Sequence, residues 1–182
     1  MPDLLLHICC APCLCWPHHV LTGEGARIAG LWFNPNIHPY TEYAKRRDAV
    51  RSFASAAGME VAYIDEYPLE QTLQALAQER CAACYRIRLE RTARHASEHG
   101  FAAFSTTLLY SIYQQHDLVR ESGLRAADAH RVEFRYRDFR PGWERGREMV
   151  RSLGLYRQKY CGCIFSERDR YLSPGSKRKE GA

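Results

Sequence analysis

Eight cysteines fall in three bunches along this chain: Cys9, Cys10, Cys13 and Cys15, then Cys81 and Cys84, then Cys161 and Cys163. A disulfide framework spreads its cysteines to staple loops, whereas bunched pairs serve metals or electron transfer. The adjacent thiols of Cys9 and Cys10 can meet one metal centre only if the chain leaves a regular strand there, because successive strand side chains point to opposite faces. Cys81-Ala-Ala-Cys84 has CxxC spacing just ahead of a helical pattern. At a helix start positions i and i+3 share a face, and the helix N-terminus stabilises the thiolate that binds metal. The four sulfurs suit either an iron–sulfur cluster or a structural zinc. A zinc ribbon draws its pairs from knuckles about 15–20 residues apart; here they are much further apart and sit on core elements.

Other readings compete for the same thiols. Cys10-Ala-Pro-Cys13 also has CxxC spacing between a strand and a helix, the context of a thioredoxin-like dithiol, but that leaves Cys9, Cys81 and Cys84 without a role. Cys161-Gly162-Cys163 can close a small, strained and easily reduced ring, which suits a two-electron carrier. The same two cysteines can equally be further metal ligands or packed core residues. Cys13 is near enough to Cys10 to face its site. Cys15 reads as a packed helix residue, and His7, His18 and His19 as structural histidines.

The elements that must position these residues alternate. Leu4 to Cys9 reads as a buried strand, and Pro12 permits a helix over about 11–21. A strand over 26–33 ends at Asn34-Pro35-Asn36. A helix over 41–57 follows, with Thr41 as its cap and Gly58 closing it. Further strands are expected at 59–64, 101–107 and 132–136, and helices at 69–78, 85–98, 114–121 and 143–152. Strands alternating with helices imply a single α/β domain over 1–172, an open, mostly parallel Rossmann-like sheet with helices on both faces. In such a sheet ligands gather beyond the carboxyl ends of the strands, where Cys9 and Cys10 lie. The tail 173–182, SPGSKRKEGA, reads as basic and disordered.

Composition narrows the classes further. A chain of 182 residues supports one well-cored domain. No stretch reaches the roughly 18–20 apolar residues of a membrane span, and the N-terminus reads as lacking a secretory signal. Net charge is +5, with arginine far ahead of lysine. That balance is compatible with a phosphate-bearing partner but supports it weakly.

The segments LLLHICCAPC, LWFNPNIHPYTEYAKR, ERCAACYRIRLERTA, FSTTLLYS and GLYRQKYCGCIFS, in this order from about Leu4 to Ser166, resemble the QueH-type epoxyqueuosine reductases. The resemblance implies an enzyme that reduces epoxyqueuosine to queuosine at the wobble position of tRNA without cobalamin, in the cytoplasm. Carried over by motif, Cys9, Cys10, Cys81 and Cys84 are the expected ligands of a 4Fe–4S cluster, and Cys161 with Cys163 the redox-active pair. The resemblance also implies a second, mononuclear metal ion (iron) beside the cluster, with Cys13 as candidate ligand. The partners it implies are tRNA carrying epoxyqueuosine in the anticodon loop and an electron donor. Tyr110, Tyr113, Tyr156 and Tyr160 are candidate stacking residues for unpaired bases, and Arg88 with Arg91 a candidate phosphate-facing pair. The chain departs from the family pattern after FSTTLL, where a Ser-Pro turn is replaced by Ser111-Ile112-Tyr113, and in its Cys13-Leu14-Cys15 stretch. A zinc-stabilised RNA-binding module and a thiol–disulfide oxidoreductase using Cys10 and Cys13 are the alternatives.

Overall fold

Leu4, Leu5 and Leu6 are each at most 1% exposed, so side chains on both faces of this segment are buried, as a central parallel strand requires. Each such leucine contributes about 1.5–3 kcal/mol by leaving water. They form β1 (Leu4–His7), and the computed structural model, which describes residues 2–172, builds the rest around it. Four more strands follow: β2 (Ile28–Trp32), β3 (Val61–Tyr63), β4 (Ala103–Thr106) and β5 (Glu133–Phe134). All pairings are parallel and the spatial order is β3-β2-β1-β4-β5.

The helices are α1 (Ala11–Gly23), α2 (Tyr40–Ala57), α3 (Leu69–Glu98), α4 (His116–His130), α5 (Trp143–Ser152) and α6 (Ile164–Leu172). α1 packs with α2 and α5, and α3 with α4. Right-handed crossovers put these two groups on opposite faces of the sheet. The strand order reverses between β1 and β4, so the crevice beyond the carboxyl end of β1 is the topological switch point where open α/β sheets bind ligands.

The expected α/β sheet is therefore present, with every strand shorter than the apolar runs suggested. Apolar residues flanking a strand continue into the loop because the loop is buried too: Ile8 and Phe33 are at most 6% exposed. Other details differ. Thr41 does not cap α2; Pro39 occupies that position, with no side-chain hydrogen bond to the helix end. Gly58 closes α2 in the left-handed conformation at φ 62°. The two helices expected at 69–78 and 85–98 run into one element, broken at Arg80, whose backbone sits at φ 40°, ψ −111°. α4 starts two residues later than expected and extends to His130. α6 was not anticipated. The tail 173–182 lies outside the described residues.

Candidate active site

β1 ends at His7, and the backbone is already extended at Cys10 (φ −173°, ψ 163°), the residue that precedes the first turn of α1. Leaving the strand turns neighbouring cysteines toward one space. The sulfurs of Cys9 and Cys10 are 3.8 Å apart, and those of Cys9, Cys10 and Cys13 all lie within 4.8 Å of one another. A tetrahedral ion with metal–sulfur bonds of about 2.3 Å spans roughly 3.8 Å between its ligand sulfurs. Three soft donors at this spacing fit a thiolate-bound metal.

Hydrogen bonds fix the trio. Thr107, just past β4, accepts from the Cys9 backbone N–H at 3.0 Å and donates its hydroxyl to Cys9 Sγ at 3.2 Å. Gln158 Nε2 donates to Cys10 Sγ at 3.0 Å. Burial opposes charge on Cys10. Hydrogen bonds from the Cys13 and Cys9 thiols and the Arg46 guanidinium outweigh it, holding Cys10 well below the normal thiol range. Cys9 is pushed up to about 11 by its hydrogen bond to Cys10, and Cys13 well above its normal range for the same reason. Within the trio Cys10 is the thiol most readily ionised, with Cys9 and Cys13 as hydrogen-bond donors to it.

The second bunch begins where α3 breaks. Arg80 is non-helical, so Cys81 opens a fresh helical run and Cys84 lies one turn on. Cys81 and Cys84 stay outside the compact trio. Their electrostatic neighbours include Cys161 and Cys163: burial raises both thiols, Cys84 to about 12, and the charges of Cys161 and Cys163 push in the same direction. The structure therefore places the predicted site cysteines in two groups, Cys9, Cys10 and Cys13, and Cys81, Cys84, Cys161 and Cys163. Arg88 is close to both. It is 3% exposed, donates to Cys84 Sγ at 2.9 Å and to Cys84 O at 3.1 Å, and makes no ion pair with a carboxylate among the described residues. Burial works against its charge, and Cys84, Cys161 and Cys9 favour it once they are ionised.

The segment between α5 and α6, residues 153–163, forms a strap that brings the last pair over the site. Cys161 is exposed, and its Sγ accepts from Gln114 Nε2 at 3.4 Å. Gln114 is held in turn by the Tyr85 hydroxyl, which donates to its Oε1 at 2.9 Å. Cys163 Sγ accepts from the Ser166 backbone N–H at 3.4 Å. Phe165 and Cys163 pack against the small cluster of Leu76, Ala83 and Cys84.

Some expectations are corrected here. Arg88 and Arg91 are not a phosphate-facing pair: Arg88 turns inward to Cys84, and Arg91 pairs with Glu66 at 2.9 Å. Tyr110 is buried and donates to Trp143 O, so it is a packing residue. Cys15 is buried and donates to Ala11 O at 3.3 Å, as a packed helix residue should. His7 is wholly buried between Thr106 Oγ1 and Phe33 O, and burial drives its pKa down to about 3; it is structural, as expected. Arg46, Glu42, Gln114, Thr107 and Gln158 were not foreseen. Arg46 was detectable, since it interrupts the buried stripe of Tyr43, Val50 and Ala54 on α2.

The fold and site together define a parallel α/β protein with a buried thiol centre at its switch point. Over residues 4–169 the sequence matches the family described as Epoxyqueuosine reductase QueH. It is 35% identical to Epoxyqueuosine reductase QueH of Dehalococcoides mccartyi, over 96% of this chain and 98% of that protein. It is 36% identical to the same-named protein of Thermotoga maritima, over 91% of each. The chain belongs to the epoxyqueuosine reductase QueH family. Among solved structures, the U34-tRNA thiolase NcsA from Methanococcus maripaludis with its [4Fe-4S] cluster superposes with a TM-score of 0.62 at 15% identity, covering 96% of this chain and 68% of that one. At that identity the likeness is one of fold.

Proposed function

We propose that this protein reduces epoxyqueuosine to queuosine in the anticodon loop of tRNA, working in the cytoplasm. The observation that carries the reading is the continuous family match over residues 4–169, which takes in all three cysteine-bearing segments. In this reading Cys9, Cys10, Cys81 and Cys84 hold a 4Fe–4S cluster, Cys13 helps to hold a mononuclear iron, and Cys161 with Cys163 store the electrons. The donor set supports it: buried sulfurs gathered at the end of β1 and the N-terminus of α1, a second pair at a helical restart, and Arg88 as a buried positive charge beside them. Bound there, iron supplies one-electron transfer and Lewis-acid polarisation of an oxygen.

The net reaction takes two electrons and two protons: the epoxide oxygen leaves as water and a carbon–carbon double bond remains. Oxidation of the Cys161 and Cys163 thiols to a disulfide releases two electrons and two protons, and an external electron donor restores the dithiol. Exposure of Cys161 suits exchange with such a donor, since thiol exchange needs access. Cys10, whose sulfur accepts from Gln158 of the strap, is 1% exposed. Tyr113, 77% exposed and adjacent to Gln114, is the strongest of the four candidate tyrosines for stacking an unpaired base. A dithiol enzyme built on Cys10 and Cys13 has less support, because both are buried and an attacking thiolate must be reached.

The test is nucleoside analysis of tRNA from a queuosine-making strain that lacks this gene and has no second reductase. Epoxyqueuosine should persist and vanish on complementation. Unchanged queuosine rejects the reading.

A further inference from the structure

Apart from Cys163, which packs with Phe165 against Leu76, Ala83 and Cys84, the Cys161-Gly162-Cys163 turn has little apolar burial of its own. Cys161 and Ile164 are exposed, and α6 has no buried residue. Its conformation is instead held through the backbone. Arg46, on α2 and 2% exposed, donates from one guanidinium nitrogen to Cys161 O at 2.8 Å and from the other to Tyr160 O at 3.1 Å. Its third nitrogen, Nε, pairs with Glu42 at 2.7 Å. The second oxygen of Glu42 accepts from the Tyr156 hydroxyl, at the start of the same strap. On the other side, His38 N–H donates to Gly162 O at 2.8 Å, and the Gly162 N–H donates to Ser166 Oγ at 3.1 Å.

A planar guanidinium with fixed donors registers two successive carbonyls, and a buried carboxylate keeps it charged and aligned. Gly162 sits at φ 145°, and a Cβ there would lie 3.2 Å from Arg46 Nη1 and 3.3 Å from Ile37 Cγ1, so the turn is shaped to the clamp. In this arrangement the two sulfurs have different partners, Gln114 for Cys161 and Ser166 N–H for Cys163. Both cysteines are free, so the turn that Arg46 clamps is one that carries the dithiol.

We propose that Arg46, aligned by Glu42 and Tyr156, is a positioning residue for the Cys161–Cys163 pair and biases it toward the dithiol. The inference rests on the reading of that pair as the electron store. Closing the ring breaks two S–H bonds and forms one S–S bond, while the two electrons and two protons reduce oxidised glutathione to two glutathione thiols. Joining sulfurs only two residues apart makes a small, strained ring, and any backbone change that closes it works against the carbonyl hydrogen bonds of Arg46, so loosening the clamp favours the disulfide.

The pair can be read separately from the other cysteines, because trypsin releases residues 160–168 as a peptide whose only cysteines are Cys161 and Cys163. The protein as purified is equilibrated in glutathione buffers of graded ratio, quenched with an alkylating agent and analysed by mass spectrometry of that peptide. Arg46→Lys keeps the charge but cannot span both carbonyls; it should shift the equilibrium about tenfold toward the disulfide, roughly 30 mV for this two-electron couple. Tyr156→Phe is a milder change at a partly exposed position and should shift it in the same direction by a smaller factor. Arg47→Gln, which removes an ion pair to Asp65 and touches none of the strap, should leave the midpoint in place. Midpoints equal to wild type in Arg46→Lys and Tyr156→Phe overturn the clamp, even if thermal stability falls. A shift toward the dithiol also overturns it. A wild-type peptide that stays a dithiol at every ratio overturns the clamp and the electron-store reading together. A wild-type couple that titrates normally, with variants that do not move, overturns the clamp alone.

Discussion

Replacing Arg88 by methionine should make the metal-free protein more stable and the metal-loaded protein less so. In the metal-free, reduced protein burial pushes the thiol that Arg88 contacts, Cys84, up to about 12, which holds it in its neutral form. The guanidinium is 3% exposed, and its hydrogen-bond acceptors are Cys84 O and Cys84 Sγ. Hydrogen bonds to a charged group each return about 1.5–3 kcal/mol net, while desolvating an ion costs several kcal/mol. Exchanging such buried charge for an apolar side chain of similar size is commonly neutral or stabilising by about 1–4 kcal/mol. Taking about 2 kcal/mol, and 2–4 °C per kcal/mol for a chain of this length, the chelated and reduced Arg88→Met protein should melt roughly 4–8 °C above wild type. Thiolates that hold iron reverse the sign, because the positive charge then has a negative neighbour. Loss of a group that touches a ligand typically lowers metal affinity by about 10–100-fold. The assay is paired: thermal unfolding by circular dichroism after chelation, and iron retained after anaerobic reconstitution against a graded competitor. A lower melting temperature with unchanged iron retention would refute the assignment of Arg88 as counter-charge to the thiol centre.

Further outcomes are expected. Cys161→Ser or Cys163→Ser should abolish multiple turnover of epoxyqueuosine in tRNA while iron content stays at the wild-type level, read by nucleoside mass spectrometry beside metal analysis; full turnover in either variant contradicts the electron-store role. Gly123→Ala on α4 would place a Cβ 2.4 Å from the Phe134 ring, and overpacking of this kind costs about 1–3 kcal/mol. Its melting temperature should fall by several degrees; an unchanged value would show that Phe134 moves freely. Arg80→Gly should raise stability by about 1 kcal/mol. The left-handed backbone at φ 40° costs about 1–3 kcal/mol for a residue with a Cβ, whereas the exposed pair with Asp169 is worth about 0–1 kcal/mol. Denaturant unfolding measures it, and a loss of stability would mean that the Asp169 pair outweighs the strain.

The order of strands and helices was legible because each parallel strand is buried on both faces and reads as an apolar run, and because Gly58 marks a helix end. Strand limits were not legible, since Ile8 and Phe33 are as buried outside the ladder as residues within it. The break before Cys81 was anticipated as a gap between two helices, and the structure shows it as a single residue, Arg80. α6 escaped because it has no buried face to impose a helical period. The cysteines stood out by type and spacing. Their supports did not: Thr107, Gln114 and Gln158 act through single hydrogen bonds across long sequence separations, which leave no local pattern. Arg88 shows the limit most clearly. A helical wheel places it beside Arg91, yet only tertiary packing decides that one points inward and the other to Glu66.

The strap also sets an order of assembly. The residues at the end of β1, the start of α1, the α3 restart and Thr107 are all synthesised before Gln158, Tyr160 and the Cys161-Gly162-Cys163 turn. Whatever is loaded at Cys9, Cys10 and Cys13 during synthesis therefore meets an open cup, and the segment that carries Cys161 and Cys163 arrives last, as the cover. A chain truncated after Ser152 should consequently take up iron at least as fast as the full-length protein in a reconstitution time course, and lose it faster to a chelator. Slower uptake by the truncated chain would mean that the cover helps to build the cup.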